Sequence, residues 1–203
     1  MRTRLLVTGF GPFPTMPRNP SAALAERVAA SPRWALHRID ARCHILTTAY
    51  AAIGGELAPA LDEGADALLM IGVAGRARRV RIETRATSRR SLLFPDASGE
   101  RPDLPTAPRV EAARRTMLAG PTALDLLVRR GVGCCLSRDA GRYLCNASYF
   151  HALGRMPSAI FIHIPKPSPV RPGPRRGGLN QEGRLAAALV DLGLVLIREG
   201  RRE

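Results

Sequence analysis

The chain has 203 residues, of which 45% are hydrophobic, and it carries a formal net charge of +14. This length and apolar content suit one domain with a sizeable core, so we expect residues 1–203 to form a single domain. No apolar run reaches the roughly 18 residues of a membrane span, and the first residues lack the cleavage site of a signal peptide. The sequence therefore predicts a cytoplasmic protein with no membrane partner.

The positive charge raises the question of a nucleic-acid partner, because clustered cations bind phosphate backbones. Lys166 is the only lysine, so the basic residues are almost all arginine, and they are scattered in pairs along the chain. Aromatic residues make up only 4% of the chain and do not interleave with a basic stretch, as a base-stacking platform requires. We expect no nucleic-acid partner and keep a basic nucleic-acid binder as the last of the alternatives.

The four cysteines show no spacing typical of a metal site. Cys134 and Cys135 are adjacent, so they cannot form an ordinary disulfide with each other, and their apolar surroundings predict two core residues. We expect reduced thiols and no metal.

Taken in chain order, the hydrophobic pattern predicts strands that alternate with helices. The predicted strands are 4–8, 34–39, 67–73, 133–137 and 158–164, and the predicted helices are 20–30, 50–61, 121–130, 144–153 and 181–198. A segment with period two surrounds Val80 and Ile82, residues 95–121 and 166–178 are predicted mostly as loop, and Asn180 is the predicted cap of the last helix. Such alternation predicts an α/β fold, a three-layer α/β/α sandwich around a mostly parallel, twisted sheet.

Two residues with nucleophile and base chemistry lie at the ends of predicted elements. Cys145 begins the helix after strand 133–137, where unpaired N–H groups and the helix dipole favour a thiolate. His163 lies at the end of strand 158–164, and Pro165 stops the ladder there. Sites of α/β folds gather at the carboxyl ends of strands, so we expect these two side chains to meet. The remaining histidines are poorer partners, either too far along the same helix or in ordinary positions: His151, His37 and His44.

Glu83 has two possible roles. Val80 and Ile82 alternate with charged residues, which puts Glu83 on one face with Arg79 and Arg81. This pattern is typical of a solvated ion pair. An acidic group that orients an imidazole is the other interpretation, since a thiol, a base and an orienting carboxylate form the general scheme of acyl transfer.

The loop after the first strand contains two aromatic residues, Phe10 and Phe13, among glycines and prolines. They either pack over the sheet edge or line a substrate pocket. Asn19 follows as a predicted helix cap, with Pro20 at the first helical position.

Short segments throughout the chain together resemble the pyrrolidone-carboxylate peptidase family, also called pyroglutamyl peptidase I. The matching segments are Leu6–Phe13, Asn19–Ser21, Gly72–Gly75 with Glu83 downstream, Pro95–Asp96, Ala140–Asn146 and Phe161–Pro165. The resemblance implies a cysteine exopeptidase, a thiol protease that removes an amino-terminal pyroglutamyl residue from peptides and needs no cofactor. It also implies roles for Cys145 as nucleophile, His163 as base and Glu83 as the group that orients the base.

The resemblance extends to substrate binding and assembly. It implies that Phe10 and Phe13 form an aromatic pocket for the lactam ring, that Asn19 supports their loop, and that the chain forms a homotetramer.

The chain departs from the family pattern at two binding positions. Val73 stands where the family usually has a glutamine that holds the lactam, and Leu93 stands where it usually has an arginine near the oxyanion. Arg89 and Arg90 are close to that place but out of register. We therefore expect weakened turnover of pyroglutamyl amides. The alternatives are a related thiol amidase with a different substrate, and a binding protein of the same fold that has lost turnover.

Overall fold

The computed structural model describes residues 2–14, 16–93, 95–102, 112–166 and 181–201. The main sheet has six strands in the spatial order β2-β1-β3-β8-β4-β7. These strands are β1 (Thr3–Phe10), β2 (Ile39–Leu46), β3 (Ala67–Ala74), β4 (Val80–Glu83), β7 (Cys134–Ser137) and β8 (Ala159–Pro165). Two short strands, β5 (Arg85–Thr87) and β6 (Ala113–Arg115), form a separate antiparallel pair.

Helices cover both faces of the main sheet. They are α1 (Pro20–Ala29), α2 (Arg33–Leu36), a π-helical turn (Ile53–Leu57) that continues into α3 (Ala58–Asp62), α4 (Gly120–Arg129), α5 (Leu144–Leu153) and α6 (Gln181–Gly200). One face is an aliphatic layer formed with α1, α2, α4 and α6. The other face packs the π-helical turn, α3 and α5 around a cluster that contains aromatic side chains. The predicted three-layer α/β/α sandwich is therefore confirmed.

The sheet is parallel except at one junction. Strands β2, β1, β3 and β8 are parallel to one another. Strand β4 is antiparallel to β8, and β7 is parallel to β4. Strands β7 and β8 consequently run in opposite directions, with Ser137 level with Glu83 and Glu83 level with Phe161. The expectation that β7 and β8 end at one common edge was wrong. The following segment, residues 138–143, connects β7 to α5.

Strand β8 shows why the sheet has two different faces. Its side chains alternate, and Ile160, Ile162 and Ile164 enter the aliphatic layer while Phe161 enters the opposite cluster. His163 shares the Phe161 side, and its ring lies 4.8 Å from the Phe161 ring between centroids. The predicted orientation of His163 is thus what the structure shows.

The region around Trp34 differs from the sequence prediction. Instead of a strand over 34–39, the chain forms the short helix α2, and the strand starts at Ile39. Trp34 is buried at 2% exposure and its indole N–H donates to the Val28 carbonyl at 2.7 Å. This tertiary contact favours the short helix over the predicted strand.

Other predictions were partly wrong. Cys134 is buried, but Cys135 is exposed because β7 is the edge strand of the sheet. Residues 95–121 contain strand β6 and the first turn of α4. The predicted cap Asn180 and most of the predicted loop 166–178 lie outside the described residues. In the part of the chain that the structure describes, no helix has the length and apolar character needed to cross a membrane.

Candidate active site

Cys145 lies at the second residue of α5, where the helix begins. Tyr143 precedes the helix in extended conformation, and no side chain caps the helix there. The first N–H groups of α5 therefore point, unsatisfied by a cap, to the region of the Cys145 thiol, and they carry the positive end of the helix dipole. Cys145 itself is partly buried. This is an environment in which a thiolate and a developing oxyanion are both stabilised.

His163 meets Cys145 and Glu83 on the same side of the sheet. Its Nδ1 lies 2.9 Å from Oε1 of Glu83, and the other side of the ring makes a hydrogen bond to Cys145. Glu83 is fully buried and His163 is 5% exposed. The three side chains therefore form a connected thiol, imidazole and carboxylate, and the interpretation of Glu83 as a solvated ion pair was wrong.

The His163 imidazole is electrostatically adapted to a charged partner. Burial alone lowers the pKa of His163, but hydrogen bonding to Cys145, the charge of that thiolate and the Glu83 carboxylate together raise it to about 9. A pKa in that range keeps the ring protonated at neutral pH. The imidazolium therefore lies between the Cys145 thiol and the Glu83 carboxylate.

Neighbouring groups hold Glu83 in this position. Its backbone carbonyl accepts a hydrogen bond from the Tyr149 hydroxyl at 2.9 Å. Its Oε1 also lies 3.3 Å from Nε of Arg81, which is directly opposite His163 in the strand register. Arg81 thereby offsets part of the cost of burying the carboxylate.

Gly72 belongs to the matched segment Gly72–Gly75, and the structure shows that it contacts the site, a role that the sequence did not predict. It pairs with His163 in the β3–β8 register. A Cβ at Gly72 would lie 2.7 Å from the Phe161 ring and 3.0 Å from the Cys145 sulfur. Only glycine leaves the thiol room to approach this strand.

Asn146, directly after Cys145, holds a neighbouring segment against the helix start. Its side-chain oxygen accepts from the Thr87 N–H at 2.9 Å, and its side-chain nitrogen donates to the carbonyls of Thr87 and Arg89 at 2.8 and 2.9 Å. The segment that leads away from Glu83 is thus fixed beside the nucleophile. Its position next to Cys145 in the matched motif was the only signal for this role in the sequence.

Of the two aromatic residues expected to form the lactam pocket, the structure places Phe10 beside this site. Phe10 is buried in the same cluster that Cys145 packs against, with its ring 6.3 Å from that of Phe161. Asn19 caps α1 and donates to the Gly11 carbonyl at 3.0 Å, so it supports the Phe10 loop. Phe13 is half-buried in a turn closed by paired backbone hydrogen bonds with Met16.

The two departures from the family pattern occupy unexpected places. Val73 packs against the aliphatic layer, whereas its neighbour Gly72 faces Cys145. The predicted substrate contact through the Val73 side chain was therefore wrong, because consecutive strand residues point to opposite faces. Leu93 is 78% exposed and its backbone N–H donates to the Ser91 hydroxyl, so its side chain has no packed position in the pocket.

A cavity of about 1000 Å³ lies elsewhere, between the start of β1 and the turn from α1 to β2. Arg2, Trp34 and Arg38 are among its lining residues, and no member of the thiol, imidazole and carboxylate group reaches it. The chemistry of the side chains, rather than cavity size, identifies the site. Among the described residues, no group of three or more metal-ligating side chains comes together.

An α/β sheet that brings together a helix-start cysteine, a histidine and a buried glutamate has the architecture of a cysteine-type hydrolase. Comparison with known proteins makes this more specific. The family model described as pyroglutamyl peptidase matches residues 3–170. The chain belongs to the pyroglutamyl peptidase family, whose members are cysteine peptidases that remove amino-terminal pyroglutamate.

Individual relatives agree with this family. The chain is 31% identical over 173 residues to the pyrrolidone-carboxylate peptidase of Gloeobacter violaceus, covering 80% of this chain and 81% of that protein. It is 32% identical to the pyrrolidone-carboxylate peptidase of Chromobacterium violaceum, over 79% of this chain and 77% of the relative. The structure of pyrrolidone carboxyl peptidase from Thermus thermophilus matches with a TM-score of 0.73 at 27% identity, over 97% of this chain and 99% of that chain.

Proposed function

We propose that Cys145, His163 and Glu83 carry the peptidase reaction of this chain, with an amino-terminal pyroglutamyl peptide as substrate. The observation that carries the proposal is the buried His163, which hydrogen-bonds Cys145 on one side and Glu83, at 2.9 Å, on the other. An imidazole held between a thiol and a carboxylate is suited to move one proton in both directions during acyl transfer.

The first half of the reaction starts with the Cys145 proton on His163. The Cys145 thiolate attacks the carbonyl carbon of the scissile amide, and the displaced electron pair moves to the carbonyl oxygen. The N–H groups at the start of α5 stabilise the resulting oxyanion. The imidazolium of His163 then donates its proton to the departing amine as the carbon–nitrogen bond breaks, which leaves an acyl-thioester on Cys145.

The second half reverses the role of the imidazole. Neutral His163 accepts a proton from water as the water oxygen attacks the carbonyl carbon of the thioester. The carbon–sulfur bond then breaks, which releases the acid and leaves the thiolate–imidazolium pair. The Glu83 carboxylate accepts a hydrogen bond from Nδ1 of the ring at 2.9 Å, which leaves Nε2 to face the reacting atoms. Phe10, within the cluster that packs against Cys145, provides an apolar surface for the lactam ring.

The thiol amidase with a different substrate remains the second candidate, and one observation favours it. The two positions at which the family usually binds the substrate with polar side chains hold Val73 and Leu93 in this chain. Val73 packs on the other face of the sheet and Leu93 is exposed, so neither side chain contributes a contact to the site. The binding protein without turnover is the weaker alternative, because a complete buried proton-transfer group has no use in binding alone.

A fluorogenic amide assay tests the proposal. The protein is expected to hydrolyse a pyroglutamyl amide and to leave a panel of other aminoacyl amides intact. Cys145→Ala is expected to reduce turnover by at least ~10⁴-fold. Cys43→Ser serves as the matched control, because Cys43 lies on β2, three strands away from β8 and His163 in the sheet. Preferential turnover of another amide would favour the second candidate, and turnover that survives Cys145→Ala would contradict the assignment of the nucleophile.

Thiol labelling provides a test that does not depend on the substrate. Iodoacetamide near neutral pH is expected to modify Cys145 before the other cysteines. Burial, followed by the Glu26 charge, raises the pKa of Cys43 to about 11, and burial, followed by Cys135, raises that of Cys134. First modification of Cys134, Cys135 or Cys43, read by mass mapping, would mean that another thiol is the activated one. A cytoplasmic location and a homotetramer stay predictions from the sequence.

A further inference from the structure

The hydroxyl group of Tyr50 stands out among the buried polar atoms. Tyr50 is only half-buried as a residue, but its hydroxyl oxygen is buried and has no hydrogen-bond partner in the described part of the chain. Buried phenolic hydroxyls usually find a partner, and an unpaired one destabilises the folded state. The unpaired state of the Tyr50 hydroxyl therefore requires an explanation.

Tyr50 lies beside the nucleophile. It packs against the same aromatic-containing cluster as Cys145 and Phe10. Its ring meets that of Tyr143 edge-on, with centroids 5.9 Å apart, and Tyr143 is two residues before Cys145. Its backbone N–H donates to the Asp96 carboxylate at 2.8 Å, which fixes the start of the segment that carries it.

The neighbouring tyrosine is different in one respect. The Tyr143 hydroxyl donates to the Pro95 carbonyl at 2.9 Å, so its hydrogen-bonding capacity is used within the fold. Tyr50 and Tyr143 therefore form a natural pair for comparison: two packed rings near one thiol, of which only the Tyr50 ring has an unused hydroxyl.

The Tyr50 hydroxyl keeps its proton at every pH at which the enzyme works. Burial, with further contributions from Tyr143, Asp96 and Cys145 and against the effect of Arg90, raises the pKa of Tyr50 to about 12. The hydroxyl is therefore a hydrogen-bond donor that lies close enough to Cys145 to sense its charge. The guanidinium of Arg90, an exposed residue, lies 6.0 Å from the centroid of the Tyr50 ring and is a group able to move aside when a substrate enters.

We propose that the Tyr50 hydroxyl donates a hydrogen bond to the scissile carbonyl oxygen of the substrate as that oxygen becomes negative, together with the N–H groups at the start of α5. This inference rests on the proposed function of Cys145. When the Cys145 sulfur bonds to the carbonyl carbon, the electron pair of the C=O bond moves to the oxygen, which becomes the acceptor that the hydroxyl lacks in the free enzyme. Because the negative charge on this acceptor develops only during the reaction, the hydrogen bond stabilises the transition state more than the bound substrate, and it accelerates turnover more than it strengthens binding. Tyr50 also supplies a donor in a chain that has Leu93 in place of the family's usual cation.

The test compares Tyr50→Phe with Tyr143→Phe, each of which removes a single oxygen atom. For Tyr50→Phe we expect kcat on a fluorogenic pyroglutamyl amide to fall about 10- to 100-fold, with KM changed less than about threefold. Its thermal midpoint should be unchanged or higher, since an unpaired buried hydroxyl has been removed. Tyr143→Phe should keep kcat within about threefold and lower the thermal midpoint, because it breaks a satisfied hydrogen bond.

Two reactions of the Cys145 thiol test the role of Tyr50 without a pyroglutamyl substrate. Acylation of Cys145 by p-nitrophenyl acetate passes through an oxyanion, whereas alkylation by iodoacetamide does not. Tyr50→Phe is expected to slow acylation by the same factor as kcat and to leave the alkylation rate unchanged. These measurements remain informative if the unmodified protein fails to hydrolyse pyroglutamyl amides, a result that would count against the proposed function alone.

Three outcomes would overturn the proposal. The first is a Tyr50→Phe variant with wild-type kcat and wild-type acylation rate. The second is an increase in KM with unchanged kcat, which would mean contact in the ground state only. The third is an equal loss of acylation and alkylation, which would mean that Tyr50 acts on the thiolate and not on the carbonyl oxygen.

Discussion

The two faces of strand β8 differ in what their side chains tolerate. Ile160, Ile162 and Ile164 enter an aliphatic layer in which shape and volume determine stability. Phe161 and His163, one residue out of phase, enter a face that contains a buried carboxylate, a thiol and several aromatic rings. Strand β8 thus contributes to the hydrophobic core with one face and to the candidate active site with the other. Changes on the aliphatic face should alter stability and leave turnover nearly unchanged, whereas changes on the reactive face should alter turnover.

The largest effect in this comparison is expected at Gly72, which faces Cys145. In Gly72→Ala, the added methyl would lie within 2.7 Å of the Phe161 ring and 3.0 Å of the Cys145 sulfur. Phe161 is fully buried, so the thiol must give way, and a displacement of the nucleophile by about 1 Å costs on the order of 10² in rate. We expect kcat/KM to fall at least about 100-fold. Gly75→Ala is the control, since nothing lies within 4 Å of a Cβ there, and equal losses in the two variants would contradict the steric argument.

The second prediction concerns the charge of His163 on the reactive face. The pKa of about 9 in the folded protein exceeds the ordinary value of 6.5. The stability that comes from the charged imidazolium is therefore fully present below pH 6.5 and is lost as the pH rises through about 9. Cys145→Ala removes both the hydrogen bond and the charge of the thiolate, so it should lower the His163 pKa.

An NMR titration of the imidazole measures this pKa directly. Unfolding free energies of the two proteins at several pH values provide the second readout. The stability advantage of the unmodified protein over Cys145→Ala should shrink between pH 6.5 and 9. Identical His163 titration in the two proteins would show that the thiol does not hold the proton on the ring.

The aliphatic face gives a smaller, purely structural effect. Ile162 is fully buried and pairs with Ile71 of β3 and Ile82 of β4. Ile162→Val should lower the free energy of unfolding by about 0.5–1.5 kcal/mol, because it removes one buried methylene group. The kcat of the folded enzyme should stay within about twofold. Denaturant unfolding and the amide assay decide this, and a large loss of kcat at full occupancy of the folded state would show that the two faces are coupled.

Much of this arrangement was predictable from the sequence. The bounds of α5 and the alternation within β8 match the sequence prediction, and Cys145 and His163 lie near the start of that helix and the end of that strand. The burial of Glu83 was not predictable from charge pattern, because it depends on the pairing of β4 with β8 across 80 residues of sequence. The opposite directions of β7 and β8 depend on the same long-range pairing.

The remaining differences have equally specific causes. Residues 34–39 were predicted as a strand, but the Trp34 segment forms a helix whose indole is buried and donates to the Val28 carbonyl of α1. The surroundings of the unpaired Tyr50 hydroxyl depend on Arg90 and Tyr143, which lie in segments far from Tyr50 in the chain. Local sequence therefore gave no signal for it. Sequence periodicity describes which face a residue occupies, whereas the partners on that face come from the tertiary structure.

The two departures from the family pattern allow a last comparison of the two faces. Val73→Gln places an amide against the aliphatic layer, since Val73 packs there and is only partly buried. It should leave kcat/KM unchanged and lower the free energy of unfolding by about 1 kcal/mol or less, because a polar group replaces apolar contact at a position that water still reaches.

Leu93→Arg places a cation on a residue that is 78% exposed. Water and salt screen a charge in such a position, so we expect a gain in kcat of no more than about tenfold and no change in stability. The double variant should show the sum of the two effects, because the substitutions act on different faces. Amide turnover and denaturant unfolding of all three variants measure this. A gain in kcat from Val73→Gln would mean that position 73 reaches the substrate and that the side-chain directions in β3 are assigned to the wrong faces. A gain well above tenfold from Leu93→Arg would mean that the segment after Glu83 closes over the site when substrate binds, which brings an exposed side chain to the oxyanion.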